Sequence, residues 1–212
     1  MHQFKSLILP FVVSLAFVMA SYPLYSSAAT ITVGSVLAIK GGVITVPVSL
    51  SGSSGTPVAG AKFTITYNTQ FLTYKNNIAL PEIFIGINAN VPGKLVLGNI
   101  TTSFIPDGMF LNLVFDVAAV ATTPQSSAVL LSIEEVVNPD GVAIPFQAVN
   151  GSVTAVKAGD CDQNGTTSIA EVQSSINAFL GLKPATSCID YDANGTVAIG
   201  EVQKVINTFL GL

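Results

Sequence analysis

The chain of 212 residues is long enough for one or two domains, half of it is hydrophobic, and only 9% is charged. That balance suits a β-rich extracellular fold with a filled core and excludes a disordered segment. With a formal charge of -4 and no arginine, the sequence lacks the basic run and guanidinium forks that nucleic acid and phosphate ligands call for, so neither is an expected partner.

Residues 1–29 read as a signal peptide. His2 and Lys5 give a weakly positive start, Leu7 to Ala20 form an apolar run interrupted by Pro10, and Ser27, Ala28 and Ala29 are small residues suited to cleavage. The run falls short of the roughly 20 apolar residues of a membrane span. The expectation is a secreted or cell-surface protein of bacterial type, with no membrane attachment after cleavage; an uncleaved anchor is the alternative. The mature chain then has no histidine and no tryptophan, and its tyrosines are Tyr67, Tyr74 and Tyr191. Nucleophilic triads lean on histidine, and zinc sites want histidine or several cysteines, so the expectation is no enzyme. The adjacent acids Glu134 and Glu135 fall in a strand-like run, where neighbours point to opposite faces and do not form a carboxylate pair.

Residues 30–156 alternate short β runs with Gly, Pro, Asn and Asp. Strands are expected over 31–39, 43–50, 59–67, 71–74, 94–100, 110–118, 128–136 and 146–156, with a weaker one over 83–87. In several the apolar residues alternate, as Phe63, Ile65 and Tyr67 do against Lys62, Thr64 and Thr66. Many short strands at this spacing predict a mostly β fold, an antiparallel sandwich. The run Val43 to Leu50, then Val58 to Asn68 with Leu72 after it, resembles the opening of a cohesin domain. Asn138 to Pro145, then Val149 to Val153, is similar to a cohesin ending. The resemblance implies a jelly-roll sandwich that binds dockerin modules through one sheet face, with Thr64 and Thr66 on that face. The alternative is a polysaccharide-binding module, although such sites commonly use aromatic platforms that this chain is poorly equipped to build.

Val156 to Gly159 is the whole linker, and four residues reach roughly 13 Å at most, so the tail cannot fold back across the sandwich. The tail, residues 159–212, contains one unit written twice. Asp160 to Glu171 and Asp190 to Glu201 both match the calcium loop, which places oxygen ligands at its first, third, fifth, seventh, ninth and twelfth positions and glycine at the sixth. Those ligands are Asp160, Asp162, Asn164, Thr166, Ser168 and Glu171, then Asp190, Asp192, Asn194, Thr196 and Glu201; Ala198 stands where the ninth ligand belongs, and water can replace it. Two Ca2+ ions are expected. Calcium is a hard cation taking about six to eight oxygens, and the spacing wraps one short loop around it.

The same helix follows each loop. Ile169, Val172, Ile176, Phe179 and Leu180 fall on one face, as do Ile199, Val202, Ile206, Phe209 and Leu210, and the two stripes should pack together. Gly181 and Gly211 suit helix caps, and Pro184 stops the first helix. Cys161 and Cys188 are expected to form a disulfide, the usual device of a small exported module with little core. Loop plus exit helix, without an entry helix, resembles a dockerin and implies a calcium-dependent plug for a cohesin. Its partner contacts would be the loop's tenth and eleventh positions, Ile169 and Ala170, then Ile199 and Gly200, where dockerins often carry hydroxyls. The whole then reads as a non-catalytic adaptor for calcium-dependent protein-protein assembly, with cohesin- or dockerin-bearing secreted proteins as partners and head-to-tail self-assembly open to a chain carrying both plug and socket.

Overall fold

The computed structural model describes residues 28–119 and 124–212. The signal-peptide segment therefore lies outside the described residues except for its last two positions, and Ala29 is already buried at the start of a strand. Among the described residues, no helix is long and apolar enough to cross a membrane.

Among the described residues, eleven strands form the sandwich: β1 (Ala29–Val33), β2 (Ser35–Ile39), β3 (Val43–Ser51), β4 (Val58–Tyr67), β5 (Leu72–Ala79), β6 (Phe84–Val91), β7 (Lys94–Ile105), β8 (Gly108–Val117), β9 (Gln125–Val137), β10 (Phe146–Val149) and β11 (Gly151–Val156). They make a five-stranded sheet, β10-β1-β3-β8-β5, and a six-stranded sheet, β2-β11-β9-β4-β7-β6. Period-two patterning produces the two faces. Ile44, Val46, Val48 and Leu50 of β3 and Leu111, Leu113 and Phe115 of β8 meet Phe63 and Ile65 of β4 and Leu95 and Leu97 of β7 in one core. Phe63 sits edge-on to Phe110 with ring centroids 6.5 Å apart. Tyr67 and Tyr74 stand edge-on to Phe115 at 5.0 and 5.9 Å, half-buried and packed against the core rather than laid out as a flat platform.

Most expected strands are present and run longer than the sequence suggested, β5, β7 and β9 most clearly. Two expected strands are each divided. The first breaks at Gly34 and the last at Asn150, and at both breaks the chain passes from one sheet to the other. The two passages lie side by side, which makes β1 with β10 and β2 with β11 parallel pairs; the sheets are mixed rather than purely antiparallel. The passages touch through glycine. A Cβ on Gly34 would lie 2.7 Å from the Pro47 ring, and one on Gly151 would lie 2.3 Å from the Gly34 carbonyl oxygen. Pro47, which cannot donate to a ladder, stands where β1 leaves β3, and its carbonyl accepts from the Gly34 N–H at 2.8 Å.

Because both ends switch sheets at one level, β2 and β11 finish together, with Ile39 paired to Val156. The tail starts from that end. Ile39, Val156 and Ala158 join Val172, Cys188, Ile189, Val202 and Val205 in a second hydrophobic core that spans sandwich and tail. The helices α1 (Ile169–Phe179) and α2 (Ile199–Leu210) close it.

Gly151→Ala places a methyl group against backbone that cannot rotate away. The expected loss is about 1–3 kcal/mol of stability, read as a lower urea midpoint with an unchanged slope.

Candidate metal centres and docking surface

In each loop the carboxylates at the first, third and twelfth positions converge. Oxygens of Asp160, Asp162 and Glu171 lie within 4.8 Å of one another, and those of Asp190, Asp192 and Glu201 do the same. The backbone forces this by tight local bonds. Asp160 Oδ2 accepts from the Gly165 N–H at 3.0 Å, and Asp190 Oδ2 from the Gly195 N–H at 2.8 Å. Gly165 and Gly195 have φ of 85° and 84°, the left-handed turn that glycine makes without steric cost. Asn164 and Asn194 each donate to the neighbouring aspartate, at 2.8 and 2.9 Å, and each accepts the hydroxyl of Thr166 or Thr196 at 2.6 Å.

The twelfth-position glutamates close the loops. Glu171 accepts from the Cys161 N–H at 2.8 Å through Oε1 and from the Ser168 N–H at 2.8 Å through Oε2, while Ser168 Oγ accepts from the Glu171 N–H. This is a capping box at the start of α1. Glu201 repeats the arrangement with the N–H groups of Tyr191 at 2.6 Å and Ala198 at 2.8 Å, but Ala198 has no side-chain acceptor to return the bond.

The electrostatics are unfavourable without a cation. Two unit charges about 5 Å apart at an effective dielectric near 20 repel by roughly 3 kcal/mol. Burial pushes the Asp160 and Asp190 carboxyls above the usual carboxylate range, opposed by the bonds from the backbone N–H groups. Asp160 Oδ1 is buried with no hydrogen-bond partner, the kind of orphan that a bound ion satisfies. The donors are hard oxygens, with no imidazole and no free thiolate, a set that fits calcium better than a soft transition metal.

Cys161 and Cys188 are bridged, with Cα atoms 5.3 Å apart, so the first loop is tied to the approach of the second. The helical stripes differ from expectation. Val172, Ser175 and Ala178 are the buried positions of α1, and Val202 and Val205 are buried in α2. Ile169, Phe179 and Leu180, and likewise Ile199, Phe209 and Leu210, are exposed. The inward face of α1 is rotated toward small Ser175 and Ala178, and α1 packs chiefly against α2. Gly181 and Gly211 do cap their helices, with φ of 71° and 74°.

A tail-to-sandwich joint escaped the sequence reading. The Tyr191 carbonyl accepts from the Val43 N–H at 2.9 Å, and its hydroxyl donates to the Gly41 carbonyl. A Cβ on Gly42 would lie 2.7 Å from the Tyr191 carbonyl oxygen, and Lys204 Nζ stands 3.2 Å from the centre of the tyrosine ring. The signal was there: a tyrosine at a non-ligating loop position and a Gly-Gly pair between strands.

On the outward side of β4, the Thr64 hydroxyl donates to Glu134 at 3.4 Å, and Lys62 pairs with Glu134 at 2.6 Å. These contacts leave Thr64 nearly buried and Thr66 half-buried. The Lys62–Glu134 bond holds the ammonium above and the carboxyl below their ordinary pKa ranges. A register shift between Lys62 and Phe63 leaves both Glu134 and Glu135 exposed, so the expected alternation of these two acids fails at a bulge. Around them the same surface carries exposed Phe84, Ile100 and Leu130.

The family model of the cohesin domain matches residues 29–155, the whole sandwich. The chain belongs to the cohesin family. Similar solved cohesins include the sixth cohesin of scaffoldin B from Acetivibrio cellulolyticus, solved in complex with a Cel5 dockerin; it is 27% identical, covers 60% of this chain and 99% of that one, and has a TM-score of 0.56. A cohesin from Clostridium acetobutylicum is 22% identical over 66% of this chain and 96% of that one, at a TM-score of 0.54. The non-cellulosomal cohesin of the archaeon Archaeoglobus fulgidus is 21% identical over 61% and 91%, at 0.52. No curated protein matches the chain. The cohesin match stops at Ala155, so the tail is an addition to the cohesin sandwich.

Two outcomes follow. Replacing Cys161 and Cys188 by serine should cost about 3–4 kcal/mol, the loop-closure value for a bridge of this span, read as a lower melting temperature of the tail. Tyr191→Ala opens the joint, and limited trypsinolysis should then cut after Lys157 several-fold faster.

Proposed function

We propose that the protein is a secreted, non-catalytic adaptor that assembles with other secreted proteins through calcium-dependent cohesin-dockerin contacts. One observation carries the reading: a cohesin sandwich is fused to a tail in which two sets of carboxylates converge and a buried aspartate oxygen lacks a partner. The tail's loop-helix repeat resembles a dockerin, and a cohesin 27% identical to this one is seen bound to a dockerin. Export fits the Cys161–Cys188 bridge, which persists in oxidising compartments.

Bound calcium supplies the positive charge that the two carboxylate clusters need. The ligands would be Asp160, Asp162, Asn164, Thr166, Ser168 and Glu171 in the first loop, and Asp190, Asp192, Asn194, Thr196 and Glu201 in the second. Glu171 and Glu201 also hold the backbone at the start of their loops, so the twelfth position couples ion binding to the orientation of each helix. The exposed Ile169-Ala170 and Ile199-Gly200 pairs stand at the first turns of those helices and form the plug. The socket is the outward face of β9, β4, β7 and β6, where Thr64 and Thr66 lie among exposed apolar residues.

A chelator should abolish capture of partners from a secreted fraction and lower the helical circular dichroism of the tail, because calcium binding is folding free energy here. Spectra and capture that are the same with and without calcium would sink this function. Glu201→Gln should lose the second site, read by calorimetry as one calcium bound per chain where the wild type binds two.

A further inference from the structure

Asparagine is followed by glycine at three places in this sequence, Asn150-Gly151, Asn164-Gly165 and Asn194-Gly195. Such a pair is prone to lose its side-chain amide, because with no Cβ on the second residue the glycine nitrogen reaches the asparagine side-chain carbon unhindered. Whether it does so depends on what holds the two groups, and the three pairs are not held alike.

The sandwich holds Asn150. Its Oδ1 accepts from the Leu131 N–H of β9 at 2.8 Å, and Gly151 is buried and paired with Val129. The ladder fixes the backbone of the pair, so the nitrogen cannot turn onto the side chain unless the sheet opens.

Asn164 and Asn194 are exposed at the fifth positions of the calcium loops, and there the restraint comes from carboxylates. The Gly165 N–H donates to Asp160 Oδ2 at 3.0 Å, while the Asn164 amide donates to Asp162 Oδ2 at 2.8 Å, so the nitrogen and the side chain are turned to different acids. The second loop repeats this, with Gly195 on Asp190 at 2.8 Å and Asn194 on Asp192 at 2.9 Å. The remaining bonds, from the N–H and hydroxyl of Thr166 or Thr196 to the asparagine Oδ1, are local and tie nothing to the sandwich. The acids that restrain each pair are those that converge with Glu171 or Glu201, and they repel one another until a cation joins them. Protection of Asn164 and Asn194 therefore depends on the ion; protection of Asn150 does not.

We infer that Asn164 and Asn194 are deamidation sites that bound calcium protects, so that a tail emptied of calcium is altered covalently as well as loosened. The inference rests on the calcium reading above and extends it to the fate of an empty loop. The Gly165 nitrogen attacks Asn164 Cγ; an N–Cγ bond closes an imide ring, the Cγ–Nδ2 bond breaks, and ammonia leaves with the proton given up by the glycine nitrogen. Water then opens the ring at either carbonyl. One product is aspartate, which the fifth loop position accepts. The other is isoaspartate, whose main chain runs through the side-chain carbon and is longer by that carbon, which breaks the spacing that wraps the loop around an ion. Gly195 and Asn194 react in the same way. Restoring calcium does not reverse the change.

Incubation of the mature protein at mildly alkaline pH, in calcium and in a chelator, followed by tryptic peptide mass spectrometry, tests this. In the chelator the peptides carrying Asn164 and Asn194 should gain the mass of an amide-to-acid exchange, with isoaspartate detected by enzymatic methylation. In calcium both should keep their amides, and the Asn150 peptide should be unchanged in either condition. Gly195→Ala, whose methyl group would meet no neighbour, should stop conversion at Asn194 and leave Asn164 converting; read in the chelator, that comparison does not require the variant tail to fold. Chelator-aged wild type returned to calcium should bind fewer ions per chain by calorimetry than fresh protein, in proportion to its isoaspartate. Amides that persist in the chelator overturn the inference, as does Asn150 converting as fast as the loop asparagines. Equal conversion in calcium and chelator overturns it too. Calorimetry on fresh protein then separates the two readings: bound calcium leaves the metal centres standing, whereas no binding removes both.

Discussion

The contact between Gly34 and Gly151 sets the shape of the molecule. Two strand pairs pass between sheets at the same level with Gly34 and Gly151 in contact, where a Cβ on Gly151 would fall 2.3 Å from the Gly34 oxygen. With both passages in place, the first and last strands of the sandwich run in parallel and end together at Ile39 and Val156. A sandwich whose ends met elsewhere would deliver the tail to a polar rim. Here it delivers the tail to two buried apolar side chains, and the tail completes a core that neither part could close alone.

From that shared core, one line of contacts runs to the carboxylates. Glu201 holds the Tyr191 N–H, and Tyr191 holds Val43 and Gly41 through its carbonyl and hydroxyl. Asp190, next to Tyr191, is buried and its carboxyl is pushed up by desolvation. A cation in the second loop therefore acts on the β2–β3 turn through one residue. The first loop is tied by the Cys161–Cys188 bridge to the segment that leads into the second. The two repeats look equivalent in sequence but are secured differently, one by backbone contact with the sandwich and one covalently.

Much of this was legible from residues alone. Alternation in β3 and β4 fixed their inward faces, and the loop spacing named the carboxylates that converge, because both signals are local. The disulfide was legible because two cysteines in a small module with little core and no histidine nearby have few other uses. What failed was tertiary. The helical period marked Phe179 and Leu180 as core, but period alone does not say which part of a stripe meets a partner, and Ser175 and Ala178 take the buried places instead. The same limit hid the bulge that exposes both Glu134 and Glu135, since a one-residue register shift leaves no mark in a short acidic pair. The contact of Gly41 and Gly42 with Tyr191 left no local mark, because the partners are about 150 positions apart in sequence.

A rigid joint changes what a plug and a socket on one chain can do. With a long flexible linker, a plug samples many positions, and its own socket competes by effective concentration. Here Val156 to Gly159 is buried or half-buried from end to end, and the tail shares a core with the sandwich. The angle between tail and sandwich is therefore a property of the fold. If copies join through these surfaces, each contact repeats the same rotation, and that angle decides between a ring and a filament. Loosening Tyr191 would then alter assembly geometry without touching either docking surface. That gives the Gly41-Gly42 turn a role beyond carrying the chain from one sheet to the other.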